Sequence, residues 1–432
     1  MLFSLDVIRA RKGDCLMLHY GAEDDPRHIM IDGGPKGVYV PHLKPRIKQI
    51  RDNRKLADNQ PLEVDLMMVS HVDDDHIQGI LDLTKELITT KMEKKPPLVR
   101  ISGLWHNSFD NIIGNTPPEL TAAFHSEFGP ASMGGDPPDL TIDKDDEDEE
   151  TIVSSLKVLA SIQQGAQLRS DAINNLDIPL NPEFDGKLIL ATEPGTPLDM
   201  GNGLTFTVAG PMVPELKELH KKHQEWLKEL KAAGKTPEEV LAAYVDKSVP
   251  NLSSLVVVAE SGGKRILLTG DARGDKILEG LELVGLLTDG GTMHIDVLKA
   301  PHHGSSNNLD NDFFERITAD HYVFSGNGEH GNPERESLEM LLNARGDADY
   351  TIHLTYPVAE LDAGRKADWE KEQNKQKKKK LKNPKAVVRE DWSPAEHSLA
   401  ALFDANPNFK QKVSAIEDDK PHLIDLLEAV KF

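Results

Sequence analysis

The feature that most constrains this chain is an apolar strand that runs without a break into five ionisable side chains. Leu66-Met67-Met68-Val69 leads through Ser70 into His71-Val72-Asp73-Asp74-Asp75-His76, and Ile77-Gln78-Gly79 then opens a helical pattern. Gathering two imidazoles and three carboxylates at the end of a buried strand is costly unless something neutralises them. A divalent cation does so, because imidazole and carboxylate are among its ordinary ligands. The competing reading is a solvated acidic loop, and the strand before and helix after argue against it. His71, Asp73, Asp75 and His76 are therefore expected to be ligands of a catalytic metal site.

Other strand ends carry residues that packing does not ask for. Met30-Ile31 stops at Asp32-Gly33-Gly34, which alone reads as an ordinary turn. Arg265-Ile266-Leu267-Leu268-Thr269 stops at Gly270-Asp271, where the carboxylate can bridge two cations or cap a helix. Val297-Leu298-Lys299-Ala300-Pro301 leads into His302-His303-Gly304-Ser305, a polar loop in which one imidazole can face a metal or a developing oxyanion while the other packs. His330 follows in a Gly-rich turn and by itself reads as a surface histidine.

Between these ends, strand-like and helical segments alternate. Strands are expected at 2–8, 14–20, 28–32, 64–70, 98–104, 204–209, 254–260, 264–269, 294–299, 320–325 and 350–356. Helices are expected at 41–53, 77–91, 151–168, 214–232, 236–245 and 334–345. The mixture predicts an α/β layered domain with its polar clusters at strand ends. Two segments interrupt it: an acidic insert at about 129–150, with seven acids among the eight residues 143–150, and a charged helical insert at about 212–248. After about residue 360 comes a basic linker containing Lys377-Lys378-Lys379-Lys380. The blander reading there is a solvated helix end, the other a nucleic-acid contact. Ser393-Pro394-Ala395-Glu396 has the form of a capping box, predicting a helix over 393–404, and a short helical tail is expected near 420–430.

Composition narrows the function. A formal charge of -22 repels phosphate backbones at long range, which favours a small substrate or a protein partner. No apolar run approaches the roughly 18–20 residues that span a bilayer. The opening residues read as a first strand and not as a signal peptide. The single cysteine, Cys15, allows no internal disulfide and points to a reducing cytoplasm, with its thiol buried and inert.

The ordered set Ile31-Asp32-Gly33-Gly34, His71-x-Asp73-x-Asp75-His76, Gly270-Asp271, His302-His303-Gly304-Ser305 and a late Gly-x-His330 resembles the metallo-β-lactamase fold superfamily, above all its ComEC-like branch. Asp6-Val7 and Gly13-Asp14-Cys15 also look like that branch's first strands. The resemblance covers about 1–355. It implies a four-layer αββα sandwich over 1–360, with the helical insert and a C-terminal extension at 361–432. It also implies two divalent metal ions, Zn²⁺ or Mn²⁺. His71 and Asp73 would hold the first, Asp75, His76 and His330 the second, and Asp271 would bridge them. His302 or His303 would stabilise the oxyanion or protonate the leaving group, with Asp32 orienting a ligand from behind. Two departures stand out. Asp73 takes the place of a histidine, a harder ligand that favours Mn²⁺. Gly210 stands where relatives commonly have an imidazole, and His106 is one candidate to replace it.

The expected function is a metal-dependent hydrolase, a phosphodiesterase or nuclease using metal-activated hydroxide. Its substrate would be a nucleic acid or a small phosphodiester. The alternative is a metal-stabilised binding or regulatory module with little catalysis, whose partner surface would be the C-terminal extension.

Overall fold

The computed structural model describes residues 1–107, 164–214, 253–416 and 420–432. The acidic insert lies outside these residues, as do the helices expected at 214–232 and 236–245, apart from Pro214, and most of that expected at 151–168.

Two mixed sheets organise the described residues. The six-stranded sheet runs in the order β16-β1-β2-β3-β5-β7, where β1 is Leu2–Val7, β2 Leu16–Gly21, β3 Pro26–Ile31, β5 Leu66–Met68, β7 Leu104–Trp105 and β16 Leu423–Asp425. The eight-stranded sheet runs β15-β14-β13-β12-β11-β10-β9-β8, with β8 at Leu198–Gly201, β9 Leu204–Gly210, β10 Val256–Ser261, β11 Lys264–Leu268, β12 Met293–Lys299, β13 Ile317–Phe324, β14 Thr351–Leu354 and β15 Val413–Ala415. A small pair, β4 (Leu62–Val64) and β6 (Val99–Ile101), stands apart.

The period-two alternation of the strands sorts their side chains. Phe3, Leu5, Leu16, Leu18, Ile29 and Ile31 share one core with Phe206, Val257, Ala259, Ile266 and Leu268 of the other sheet. Met17, Met30 and Met67 point the other way, into a core with helices α1 (Lys44–Asn53) and α2 (Asp74–Met92). Helix α2 supplies Ile77, Ile80, Leu83 and Leu87, spaced to fall on one face. Beyond the eight-stranded sheet, Val256, Val258 and Leu267 pack against α3 (Gly274–Leu283), α4 (Asn311–Arg316), α5 (Arg335–Arg345) and the first turn of α6 (Val358–Lys382).

The C-terminal residues differ from expectation. The segment near 420–430, expected to be helical, contains β16, which pairs antiparallel with β1, while β15 pairs parallel with β14. The tail therefore supplies a strand to each sheet instead of lying outside them. The helix expected over 393–404 is broken into Pro394–His397 and Leu399–Ala405. Ser398, and not Ser393, caps the second piece by accepting from the Ala401 amide, and the Ser393 amide donates to His397 Nδ1.

Strand direction decides where the polar ends meet. Strands β3, β5 and β7 run parallel, and so do β11, β12 and β13. Residues just past the C-terminal ends of parallel strands cluster at one edge, where open α/β sheets commonly place ligands.

Candidate metal centre

Each functional side chain is delivered by a turn with little freedom. Gly33 and the helical Gly79 touch backbone to backbone: a Cβ on Gly79 would sit 1.9 Å from the Gly33 carbonyl oxygen. The Gly33 amide donates to His76 O at 2.7 Å, which ties the Asp32 turn to the start of α2. A Cβ on Gly13 would fall 1.8 Å from Asp75 O, so only glycine lets the Asp14 turn dock there. His302 and His303 both adopt left-handed backbone angles, φ 46° and 55°. Such conformations cost on the order of 1–3 kcal/mol each in non-glycine residues and persist where the surroundings enforce them.

These turns bring four imidazoles around one carboxylate. His76 Nε2 and His303 Nε2 lie 3.2 and 3.5 Å from Asp271 Oδ1. His71 Nε2 and His302 Nε2 lie 3.6 and 3.5 Å from Oδ2. Asp73 Oδ2 is 3.6 Å from His71 Nε2. The side chains of His71, His76 and His303 are 0%, 0% and 2% exposed, and that of His302 is 29% exposed. One ligand atom from each of Asp14, His76, Asp271 and His303 falls within 4.8 Å of the others.

The opposite ring nitrogens are anchored. His76 Nδ1 meets Asp32 Oδ2 at 2.9 Å, and Asp32 also accepts from the Ser70 amide and hydroxyl, both at 2.7 Å. His303 Nδ1 meets Ser325 Oγ at 2.9 Å and lies 3.4 Å from Asp14 Oδ1. His71 Nδ1 meets Ser70 Oγ at 3.1 Å. Asp14 is itself spoken for: it accepts from Ser325 Oγ and pairs with the buried Lys299 ammonium at 2.5 Å. Asp14 therefore orients His303 and is neutralised by Lys299, in spite of its place within the group. By contrast, His71 Nε2, His76 Nε2, His303 Nε2 and Asp271 Oδ1 are buried without a hydrogen-bond partner. Buried polar atoms are nearly always satisfied, so four such atoms facing one another call for a shared partner. Imidazole and carboxylate atoms with orienting groups behind them suit a divalent cation.

The protein groups alone already polarise one another. Burial pushes the Asp271 carboxyl up, but His302, His303, His76 and His71 hold it well below the usual carboxylate range. Burial pushes His76 down, yet Asp271 and Asp32 carry it well above the ordinary imidazole value. His71 is likewise raised: burial and His76 oppose the shift, and Asp271 and Asp73 win. Asp75, at the first turn of α2, is opposed by burial but held low by His76, His303 and Lys12.

Of the residues singled out from sequence, the structure gathers Asp32, His71, Asp73, Asp75, His76, Asp271, His302 and His303 at this edge. His330 is exposed in the turn Glu329–Gly331 and is not among the four converging residues. That turn is held against α6 by Arg365, whose Nε donates to Gly331 O at 3.0 Å. The buried His106 ring lies against Gly165, where a Cβ would sit 3.2 Å from its Nε2. Asp14, Ser70, Lys299 and Ser325 were not singled out as site residues. Lys299 had a signal, being a charge at a buried position of an apolar strand.

No family model matches the chain. Microtubule-associated protein 1A of Mus musculus is 29% identical over 112 residues, covering 24% of this chain and 4% of that protein. The Homo sapiens protein of the same name matches with the same identity and shares. This chain thus spans only a small part of the curated relatives it matches. Among solved structures, that of Zn²⁺-bound PqqB from Methylobacterium extorquens covers 85% of this chain and 95% of its own, at 13% identity and a TM-score of 0.29. That overlap is too loose to carry an argument about fold or activity. No helix among the described residues is long and apolar enough to cross a membrane.

Proposed function

We propose that this chain is a metal-dependent hydrolase of the metallo-β-lactamase type, built as a four-layer αββα sandwich, and that it cleaves phosphodiesters. The observation that carries the reading is the set of three buried imidazoles, each anchored at Nδ1 and each presenting an unpartnered Nε2 to the single carboxylate of Asp271.

The two oxygens of Asp271 divide the group. On the Oδ2 side, His71 and Asp73 would hold one cation, with His302 in the place of the imidazole that Gly210 cannot supply. On the Oδ1 side, His76 and His303 would hold a second, with Asp75 near enough for both to hold its carboxyl low. His303 thereby takes the ligand role expected of His330. A bound Zn²⁺ or Mn²⁺ supplies Lewis acidity and makes a water nucleophile available near neutral pH. Asp32, Asp14 and Ser70 fix tautomer and ring direction, and Lys299 cancels the charge of Asp14. His302, the most accessible imidazole of the four, would border the open side of the group, where a substrate oxygen can approach. A set of imidazole and carboxylate groups without thiolate suits a cation that activates water for attack on phosphorus, and no serine or cysteine nucleophile is needed.

The test is elemental analysis of the purified protein joined to a hydrolase screen over bis(p-nitrophenyl) phosphate, cyclic nucleotides and single-stranded DNA. Bound metal and chelator-sensitive turnover are expected. Turnover that survives in Asp271→Ala, or wild-type protein that binds no metal, would sink the reading.

A further inference from the structure

The second half of α6 is a local reversal of the protein's charge. Residues 371–391 contain eight lysines and one arginine against three acids, in a chain whose formal charge is -22. Within α6 only Leu361, Arg365 and Gln373 are buried, so beyond Gln373 the helix has no apolar seam. The chain then turns at Pro384 and runs back along the helix: Gln373 Nε2 donates to Arg389 O at 3.1 Å, the Arg389 amide to Gln376 Oε1 at 2.7 Å, and Trp369 Nε1 to Glu390 O at 2.9 Å. The Arg389 guanidinium lies 4.6 Å over the Trp369 ring. Helix and returning chain together make a polar, basic arm.

Lys371, Lys375, Lys378 and Lys382 recur at i, i+4, i+7 and i+11, which places them on one face over about 16 Å. Lys371, Lys378 and Lys382 are exposed. Lys375 lies 3.5 Å from Glu372, but like charges at these spacings still oppose one another along the helix. Complementing the helix dipole accounts for the lysines of the last turn, but the stripe begins well before it. A line of cations that repel one another is relieved by a line of anions.

The arm is joined to the histidine cluster by short contacts. The first turns of α6 pack on the turn 328–331, where a Cβ on Gly328 would sit 2.3 Å from Leu361 O. Arg365 Nε donates to Gly331 O, and three residues on the Glu334 amide donates to Gly304 O at 3.1 Å, next to His302 and His303.

We propose that this arm docks the phosphate backbone of a single-stranded nucleic acid and holds it beside the histidine cluster. The catalytic consequence rests on the phosphodiester reading above; the binding itself does not. Full-length protein and the variant Lys371→Gln/Lys375→Gln/Lys378→Gln/Lys382→Gln would be compared by fluorescence anisotropy on a labelled oligothymidylate across a salt series. Four single-strand phosphate contacts give a loss of affinity on the order of 50-fold between about 50 and 200 mM salt. That loss is expected in the wild type and should shrink to a few-fold in the variant. With the oligonucleotide as hydrolytic substrate, KM should rise at least ~10-fold in the variant, with turnover of bis(p-nitrophenyl) phosphate unchanged. Equal affinity and equal salt dependence in the two proteins overturns the proposal. So does binding to phosphatidylserine-containing vesicles with none to the oligonucleotide. Absence of any phosphodiester turnover in the wild type would defeat the earlier reading alone, since the anisotropy series still decides the surface.

Discussion

At the strand ends, His71, His76 and His303 anchor Nδ1 on protein groups and turn Nε2 toward Asp271. Elsewhere, equally buried histidines use both ring nitrogens on neighbours. His19 Nδ1 meets His28 Nδ1 at 2.9 Å, His19 Nε2 meets Asp6 Oδ2 at 3.2 Å, and His28 Nε2 meets Arg54 at 3.0 Å. His353 does the same between His321 at 3.0 Å and His422 at 2.7 Å. The protonation behaviour is opposite. His76 is raised well above the ordinary value, whereas burial, with His19 and Arg54 beside it, drives His28 well below. Burial, His422 and His321 push His353 down to about 2. Burial alone therefore does not mark a functional histidine. What faces the second nitrogen does: one carboxylate shared by four imidazoles in one region, and in the other an arginine, another imidazole or a carboxylate already paired with Arg46.

The largest test of that contrast removes the central carboxylate from each region. Asp271→Ala should strip the bound metal and lower turnover on the order of 10³-fold, read by elemental analysis and steady-state kinetics. Asp6→Asn, which breaks the buried pair between Asp6 and Arg46 (2.6 Å), should leave metal content intact. It should instead cost about 3–5 kcal/mol in denaturant unfolding. If Asp6→Asn also empties the metal site, the two regions are not independent.

A smaller effect separates orienting groups from ligands. Asp32→Asn and Asp14→Asn should each weaken metal affinity by roughly 10–100-fold, as measured by competition with a chelating dye. Unchanged affinity in both would show that the Nδ1 anchors do not position the rings.

The pH responses should run in opposite directions. His28, His353 and His422 have folded values below the unfolded imidazole value of 6.5. The unfolded chain then binds more protons, so their contribution to stability is full above about pH 6.5 and is lost as pH falls toward the folded values. His71 and His76, raised in the protein alone, stabilise below about pH 6.5 and lose that contribution as pH rises through their folded values. A cation must displace those protons, so metal affinity should climb with pH and binding should release protons. Thermal melts with and without chelator, taken from about pH 8 to about pH 5, check both signs. The smallest effect expected is that of His330→Gln, within about 0.5 kcal/mol in stability and with metal content unchanged. Metal loss in that variant would return His330 to the ligand set.

Much of the candidate site was legible because its chemistry interrupts packing. Two imidazoles and three carboxylates after Leu66-Met67-Met68-Val69, and paired histidines after an apolar strand, are visible at short range in the chain. Asp14 was less legible, since it opens the strand expected at 14–20 and a single aspartate there carries no ligand signal. Its significance comes from Lys299 and Ser325, which lie far off in sequence. The strands β15 and β16 escaped notice because each is three residues long and takes its pairing from a neighbour already in place. The same locality explains Ser393: the capping pattern is present, but His397 draws its amide into a different turn.

By itself, the sequence determined the alternation of strands and helices, the residue types at the strand ends and the reversal of charge after residue 370. These are local properties, set by periodicity and by the cost of placing charge beside apolar residues. Only the tertiary structure decided which nitrogens meet which oxygens. It set His303 in the converging group and left His330 in an exposed turn. It made Asp14 an orienting group by giving it Lys299, and it left the Nε2 atoms of His71, His76 and His303 facing Asp271. The physical reason is that a metal site is defined by convergence to within a few ångströms, and that is fixed by the register and direction of strands distant in sequence.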